Sequence, residues 1–206
     1  IMVNKDPDFS GRFHKSTLVI FMTILIIGFS RHLPLSYPEL LNFSPVPAIF
    51  MISGTYLRGN LSWIAPMIGV VASDLLLSPN YGANFFESFM LITLFSYSLI
   101  FIIGKKLGKN PEIKKLALGG LVAAFVFHLV TCGFAWWVNP AYTKDLAGFI
   151  QAIIFGQPEF APAYLFLKNT IISTVFFSVL LGWAFSLQIK FMSAKTPKPV
   201  HSNVKA

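Results

Sequence analysis

Apolar residues run along this chain in long unbroken blocks, and short polar stretches separate one block from the next. A helix rises about 1.5 Å per residue and a bilayer core is about 30 Å thick, so runs near 20 residues are long enough to cross. Six runs approach or reach that length: Thr17 to Leu33, Pro45 to Leu57, Leu61 to Leu77, Phe86 to Ile103, Leu116 to Val138 and Leu165 to Ile189. The second is short, and Pro45 and Pro47 at its start also fit a re-entrant segment. The pattern predicts an all-α integral membrane bundle of six transmembrane helices.

Two connections carry patterns of their own. Leu33 to Pro47 holds Pro34, Pro38, Pro45 and Pro47, which predicts a stiff outer loop in place of a regular helix. Before the last span, Thr143 is placed to cap a helix from about Lys144 to Phe155. Leu146, Phe149, Ile150, Ile153 and Ile154 fall at helical spacing there, with Gln151 opposite. That spacing predicts an amphipathic interfacial helix, lying over the outer mouth as a lid.

Composition agrees with a membrane chain. Of 206 residues 55% are hydrophobic and 12% charged, with mean hydropathy +0.68, too apolar for a domain that must wet its whole surface. The charges then set the threading, because Lys and Arg collect in cytoplasmic loops. Six crossings with both termini cytoplasmic place thirteen basic residues inside, among them Arg58, Lys105, Lys106, Lys109, Lys114 and Lys115, and leave Arg31, Lys144 and Lys168 outside. If the second run did not cross, the Lys105 to Lys115 cluster would move outside. The chain thus divides into a cytoplasmic segment 1–16, a six-helix domain 17–193 and a disordered cytoplasmic tail 194–206. No small-residue cleavage pattern follows the first run, which is expected to stay as an anchor. The net charge of +8 is met by anionic lipid headgroups, so the bilayer is a partner and nucleic acid is not.

Acidic and amide residues gather at the opposite side. Arg31, Asn42, Asp74, Glu87, Gln151, Lys168 and Asn169 form a belt drawn from the outer loops and helix ends, and these are the candidate substrate-binding residues. Asp74 sits about a turn below the outer end of the third span and Lys168 about a turn into the sixth. An unpaired charge costs roughly 2.5 to 3.5 kcal/mol at mid-membrane, so such groups face a partner or a watery cavity. Asp74 is expected to pair with Arg31 or Lys168, or to line an outward pocket for a small polar molecule.

Catalytic and cofactor chemistry find little purchase. The chain has no phosphate-binding loop, dinucleotide fingerprint or HExxH motif, and Ser53 with His128 is too thin for a serine protease. His128 and His32 lie at different depths, against paired haem ligation, and the single Cys132 excludes a cysteine metal cluster. No enzyme activity, cofactor or metal is expected; His128 reads as a buried histidine bonded to a neighbouring Ser or Thr. Small residues at four-residue spacing, Ala65, Gly69 and Ser73, and Gly119 or Gly120 with Ala123 or Ala124, predict close helix contacts. Trp136 and Trp137 mark the outer interface.

The order Arg31-His-Leu-Pro, Asn42-Phe-Ser-Pro-Val-Pro-Ala48, Ser53-Gly-Thr-Tyr56, Ser73-Asp-Leu75, Leu146-Ala-Gly148, Gly156-Gln-Pro158 and Asn169-Thr170 resembles a family of uncharacterised bacterial membrane transport proteins. That family is similar in turn to the S components of energy-coupling-factor (ECF) vitamin transporters. The resemblance implies six helices in the bacterial inner membrane and capture of a micronutrient from outside, for delivery to a separate energising module. S components carry an alanine-rich motif on the first span to dock that module, whereas Leu18 to Ile27 here is bulky almost throughout. The rival expectation is therefore a non-catalytic accessory or scaffold subunit of a larger membrane complex.

Overall fold

The computed structural model describes residues 25–34, 36–77, 88–108 and 110–195, with side chains through residue 187 except that of residue 77. The N-terminal segment 1–16, the start of the first span, the loop with Glu87, Lys109 and the tail from 196 onward lie outside the described residues. Every regular element described is helical: α1 (25–34), a 3-10 turn Pro38–Leu40, α2 (Val46–Tyr56), α3 (Leu61–Leu77), α4 (Ser88–Lys106), α5 (Ile113–Val138), α6 (Leu146–Ile154) and α7 (Ala163–Lys195). The helix of α7 runs through residues 194 and 195, which the sequence pattern assigned to the tail.

Three helices are long and apolar enough to cross a membrane: Ser88–Lys106, Ile113–Val138 and Ala163–Leu187. Their outward faces are greasy and their inward faces carry hydroxyls. On α5, Leu118, Val122, Phe125 and Leu129 point outward; on α7, Ile172, Phe176, Leu180 and Trp183 do so, while Thr170, Ser173, Thr174 and Ser178 are buried. A soluble bundle reverses that order. Two of these hydroxyls bond back to their own helix, Thr170 Oγ1 to the Phe166 carbonyl at 2.8 Å and Ser173 Oγ to that of Thr170 at 3.2 Å, while those of Thr174 and Ser178 are buried without a hydrogen-bond partner.

The second predicted span differs from expectation. α2 has 11 residues, about 16 Å of helix, roughly half the hydrocarbon thickness, and Val46 to Thr55 are buried on every side. It is a central pillar. Pro47 is accommodated at its second position, where no intrahelical donor is lost. The pillar packs along α4 by backbone approach: a β-carbon on Gly104 would overlap the Met51 carbonyl, and one on Gly54 would overlap that of Phe101. Thr55 Oγ1 bridges the pair, 2.9 Å from the Met51 carbonyl and 3.0 Å from that of Gly104.

Contacts give the directions of the helices. Phe50 meets Tyr97, and Gly54 meets Phe101 and Lys105, so α2 and α4 run parallel. Phe89 meets Phe134, Tyr97 meets Phe127, and Gly119 meets Leu107, so α4 and α5 run antiparallel. Gly120 meets Thr174 to Ser178 while Gly182 meets Leu116, which makes α5 and α7 antiparallel too. One end of the bundle therefore gathers Arg58, Lys105, Lys106, Lys114 and Lys115, all exposed. Towards the other end lie Arg31, Asp74 and the ends of α5 and α6.

The predicted small-residue faces point inward. Ala65, Gly69 and Ser73 are buried on α3, and Gly119, Gly120, Ala123 and Ala124 on α5.

Candidate ligand site

A cavity of about 440 Å³ opens at the end away from the lysines. Its floor is a ladder of stacked rings from three helices. Phe50 of α2 lies 4.8 Å from Tyr97 of α4 with planes 4° apart, and Tyr97 lies 5.3 Å from Phe127 of α5 at 17°. Tyr97 and Phe127 face the cavity, and Phe43, Phe89 and Phe166 add further aromatic wall.

The last turns of α1 bring Ser30 and Arg31 to the cavity. Arg31 of α1 donates through Nη2 to Asp74 Oδ1 of α3, forming one of the two ion pairs the sequence led us to expect, while Lys168 is exposed. The pair is largely enclosed, with 22% and 17% of the two side chains exposed. The other terminal nitrogen, Nη1, is buried with no hydrogen-bond partner. A buried unpaired donor costs about 1 to 3 kcal/mol, more on a charged group. Arg31 also lines the cavity, although Nη1 itself is closed to solvent.

The connection from α1 to α2 forms the rim. The 3-10 turn begins at Pro38, Asn42 takes a left-handed φ of 62°, and Ser44 Oγ accepts from the Val46 amide at 3.3 Å. Asn169 of α7 anchors this rim: its Nδ2 donates to the carbonyls of Glu39 at 2.8 Å and Leu41 at 2.9 Å. The rim is thus tied to α7, while the helix of α1 includes Pro34, which the sequence pattern placed in an irregular loop.

On α5, Phe127, His128, Thr131, Cys132 and Ala135 share the cavity face. His128 is buried, and its Nε2 lies 2.8 Å from the Ile153 carbonyl of α6. A carbonyl only accepts, so Nε2 holds the proton and the neutral ring presents a lone pair at Nδ1, 3.7 Å from Cys132 Sγ. The expected Ser or Thr partner is replaced by this backbone contact between helices.

The helix before the last span exists, with two corrections. Asp145 is its N-cap, accepting from the Gly148 amide at 2.8 Å, while Thr143 donates to Asp145 Oδ1 at 2.8 Å. Gly148 lets the turn close, because a β-carbon there would overlap the Thr143 carbonyl. These bonds, first the Gly148 amide and then the Thr143 hydroxyl, hold the Asp145 carboxyl below its ordinary pKa. Second, α6 runs down the side of α5 instead of across the mouth. Phe149 packs edge-on to Trp136 at 5.3 Å, while Ile153 reaches His128, eight residues or about 12 Å further down α5. Gln151 is the only polar side chain in Leu146–Ile154, so the helix lacks a polar face to hold it in the interfacial plane. Its exposed stripe is Leu146, Ile150 and Ile154.

α5 ends where Lys144 returns to it. Nζ donates to the Trp136 carbonyl and, at 2.7 Å, to that of Asn139, supplying positive charge where the helix leaves carbonyls unpaired. The Trp136 indole donates to the Thr143 carbonyl at 2.8 Å. Trp137 stays 72% exposed, as an interfacial ring does.

Of the seven predicted site residues, Arg31 and Asn42 line the cavity, Asp74 holds Arg31 and Asn169 holds the rim. Gln151 and Lys168 are away from the lining, and Glu87 lies outside the described residues. The aromatic and hydroxyl faces of α4 and α5 were missed as site residues. Their signal was present as Phe89, Thr93 and Tyr97 at four-residue spacing, and as Phe127, Thr131 and Ala135 on α5. Among the described residues no three His, Cys, Asp or Glu side chains converge, so His128 and Cys132 do not make a metal site by themselves.

Residues 12–196 match the family described as Family of unknown function (DUF6580), which takes in all the described helices and the cavity. The chain belongs to that family. No curated protein and no solved structure matches it. For this DUF6580 member the functional reading therefore rests on the cavity.

Proposed function

We propose that this protein captures a small polar molecule or micronutrient from the outer side of the bacterial inner membrane, without catalysis of its own, in the manner of an S component of an ECF transporter. The observation that carries the reading is the cavity with Arg31 in its lining, at the end of the bundle opposite Arg58, Lys105, Lys106, Lys114 and Lys115. Basic ends face the cytoplasm, so the cavity opens outward. The parallel run of α2 with α4, and the reversals at α5 and α7, support six crossings with both termini inside. On this reading α2 crosses as a buried half-length helix with its flanking segments. An energising partner would bind from the basic end.

A second reading, an accessory or scaffold subunit, is favoured by one observation. The apolar stripe of α6 is outward-facing, with Leu146 72% exposed, and could seat a neighbouring helix.

Two measurements test the proposal. After Cys132 is replaced by serine, a cysteine at Lys114 should react with impermeant thiol reagent only from the cytoplasm, and one at Ala141 only from outside; reaction of both from one side overturns the topology. Protein purified in mild detergent should release a small molecule on denaturation, detectable by mass spectrometry. Release of nothing, together with a stable multi-chain assembly, gives the scaffold reading instead.

A further inference from the structure

The chemistry of the cavity wall narrows what it holds, and the argument rests on the capture reading above. The lining has no net charge to offer, because Arg31 is already balanced by Asp74. A fully charged anion would therefore enter a low-dielectric site without a counter-charge, at a cost of several kcal/mol. The aromatic walls act in the same direction, since ring faces are electron-rich and prefer N–H edges and cations to anions.

The hydroxyls add a direction to the hydrogen bonding. Ser30 donates its proton to the Ile27 carbonyl at 3.0 Å, Thr93 to that of Phe89 at 2.8 Å and Thr131 to that of Phe127 at 2.8 Å. His128 gives its Nε2 proton to Ile153. What these four side chains have left for a guest is lone pairs, so they accept. Arg31 lies in the same lining, and its Nη1, closed to solvent here, becomes the complementary donor when the guanidinium turns towards the guest. A matching guest has several N–H groups, one oxygen or ring nitrogen able to accept, and a flat body to lie among Tyr97, Phe127 and Phe89. A volume of about 440 Å³ is at the small end of the ligand-cavity range of about 300 to 1,000 Å³, suited to one or two fused rings.

We propose that the cavity takes an uncharged, planar nitrogen heterocycle, its acceptor atom on Arg31 and its N–H groups on the hydroxyls of α4 and α5. The test is calorimetry on the full chain in detergent with four probes: cytosine and hypoxanthine, which fit the description, benzoate, which is flat but anionic, and inorganic phosphate. The expected result is binding of one or both heterocycles, at least tenfold tighter than either anion. Arg31→Gln should weaken it tenfold or more. If that variant does not fold, Thr93→Val, whose hydroxyl bonds within the protein to the Phe89 carbonyl of its own helix, should weaken heterocycle binding several-fold while leaving thermal stability nearly unchanged.

Tighter binding of benzoate or phosphate overturns the ligand class while leaving capture intact. If none of the four binds, the molecule released from purified protein decides: a nitrogen heterocycle upholds the proposal and any other compound overturns it. Release of nothing overturns capture itself.

Discussion

The two ends of this bundle are built on opposite rules. At the lysine end, α2 and α4 touch backbone to backbone through Gly54 and Gly104, Thr55 fastens them, and Tyr56 stacks on Phe185 at 5.3 Å. At the other end the helices part around a cavity and a guanidinium nitrogen goes without a partner. The Phe50, Tyr97 and Phe127 stack is the boundary between them. The difference shows where rigidity and ligand space are divided. A tight foundation holds the diverging helix ends in place.

The contrast is broken most severely at its foundation. In Gly104→Val the new side chain meets the Met51 backbone, which has no rotamer with which to retreat, and α2 must shift away from α4. Such overpacking costs about 3 kcal/mol or more, and the variant is expected to unfold or aggregate in detergent. Thr93→Val at the cavity should change thermal stability by less than about 1 kcal/mol. Equal losses in the two variants, read by thermal unfolding, would refute the division.

Next in size is the ion pair. Asp74→Asn leaves Arg31 largely enclosed without its balancing charge, at a cost of about 2 kcal/mol given its partial exposure. Swapping the charges in the double variant Arg31→Asp with Asp74→Arg should recover part of that loss. A cycle in which the two single effects simply add shows no coupling and removes the pair from the account.

A smaller effect is expected where α6 meets α5. Phe149→Ala removes the ring packed on Trp136, worth about 1 kcal/mol beyond its buried area, and loosens the helix whose Ile153 carbonyl meets His128, one turn along α5 from Cys132. The thiol of Cys132, the only cysteine, should then react faster with a water-soluble reagent. An unchanged rate would mean that α6 does not shield this wall of the cavity.

What the sequence reveals depends on whether the structure follows a period. Apolar run length places α3, α4, α5 and α7 within a few residues, and the cost of a lone charge in hydrocarbon points to the pairing of Asp74. The short reach of α2 is legible as well, since the run Pro45 to Leu57 brackets the helix Val46–Tyr56. Two features escape that logic. The tilt of α6 depends on Phe149 finding Trp136, a contact between helices. The aromatic floor of the cavity looks, residue by residue, like any lipid-facing run, because Phe and Tyr at helical spacing serve both environments equally. Only tertiary packing says which face of α4 turns inward.

The mildest test concerns pH and the cap of α6. Asp145 accepts from the Gly148 amide and the Thr143 hydroxyl, bonds that favour the carboxylate and hold its pKa below the ordinary value. A carboxyl with a depressed folded pKa contributes its stabilisation fully above its unfolded pKa. That contribution fades as pH falls towards and through the folded value. Acidification below the ordinary carboxylate range should therefore fray the first turn of α6 before the bundle unfolds, read as faster hydrogen exchange at the Gly148 amide. Asp145→Asn keeps a capping oxygen but has nothing to titrate, so its exchange at Gly148, corrected for intrinsic rate, should stay flat over the same range. If wild type and variant follow the same pH curve, the cap is not what ties α6 to the wall of the cavity, and the fastening falls to Trp136 and His128 alone.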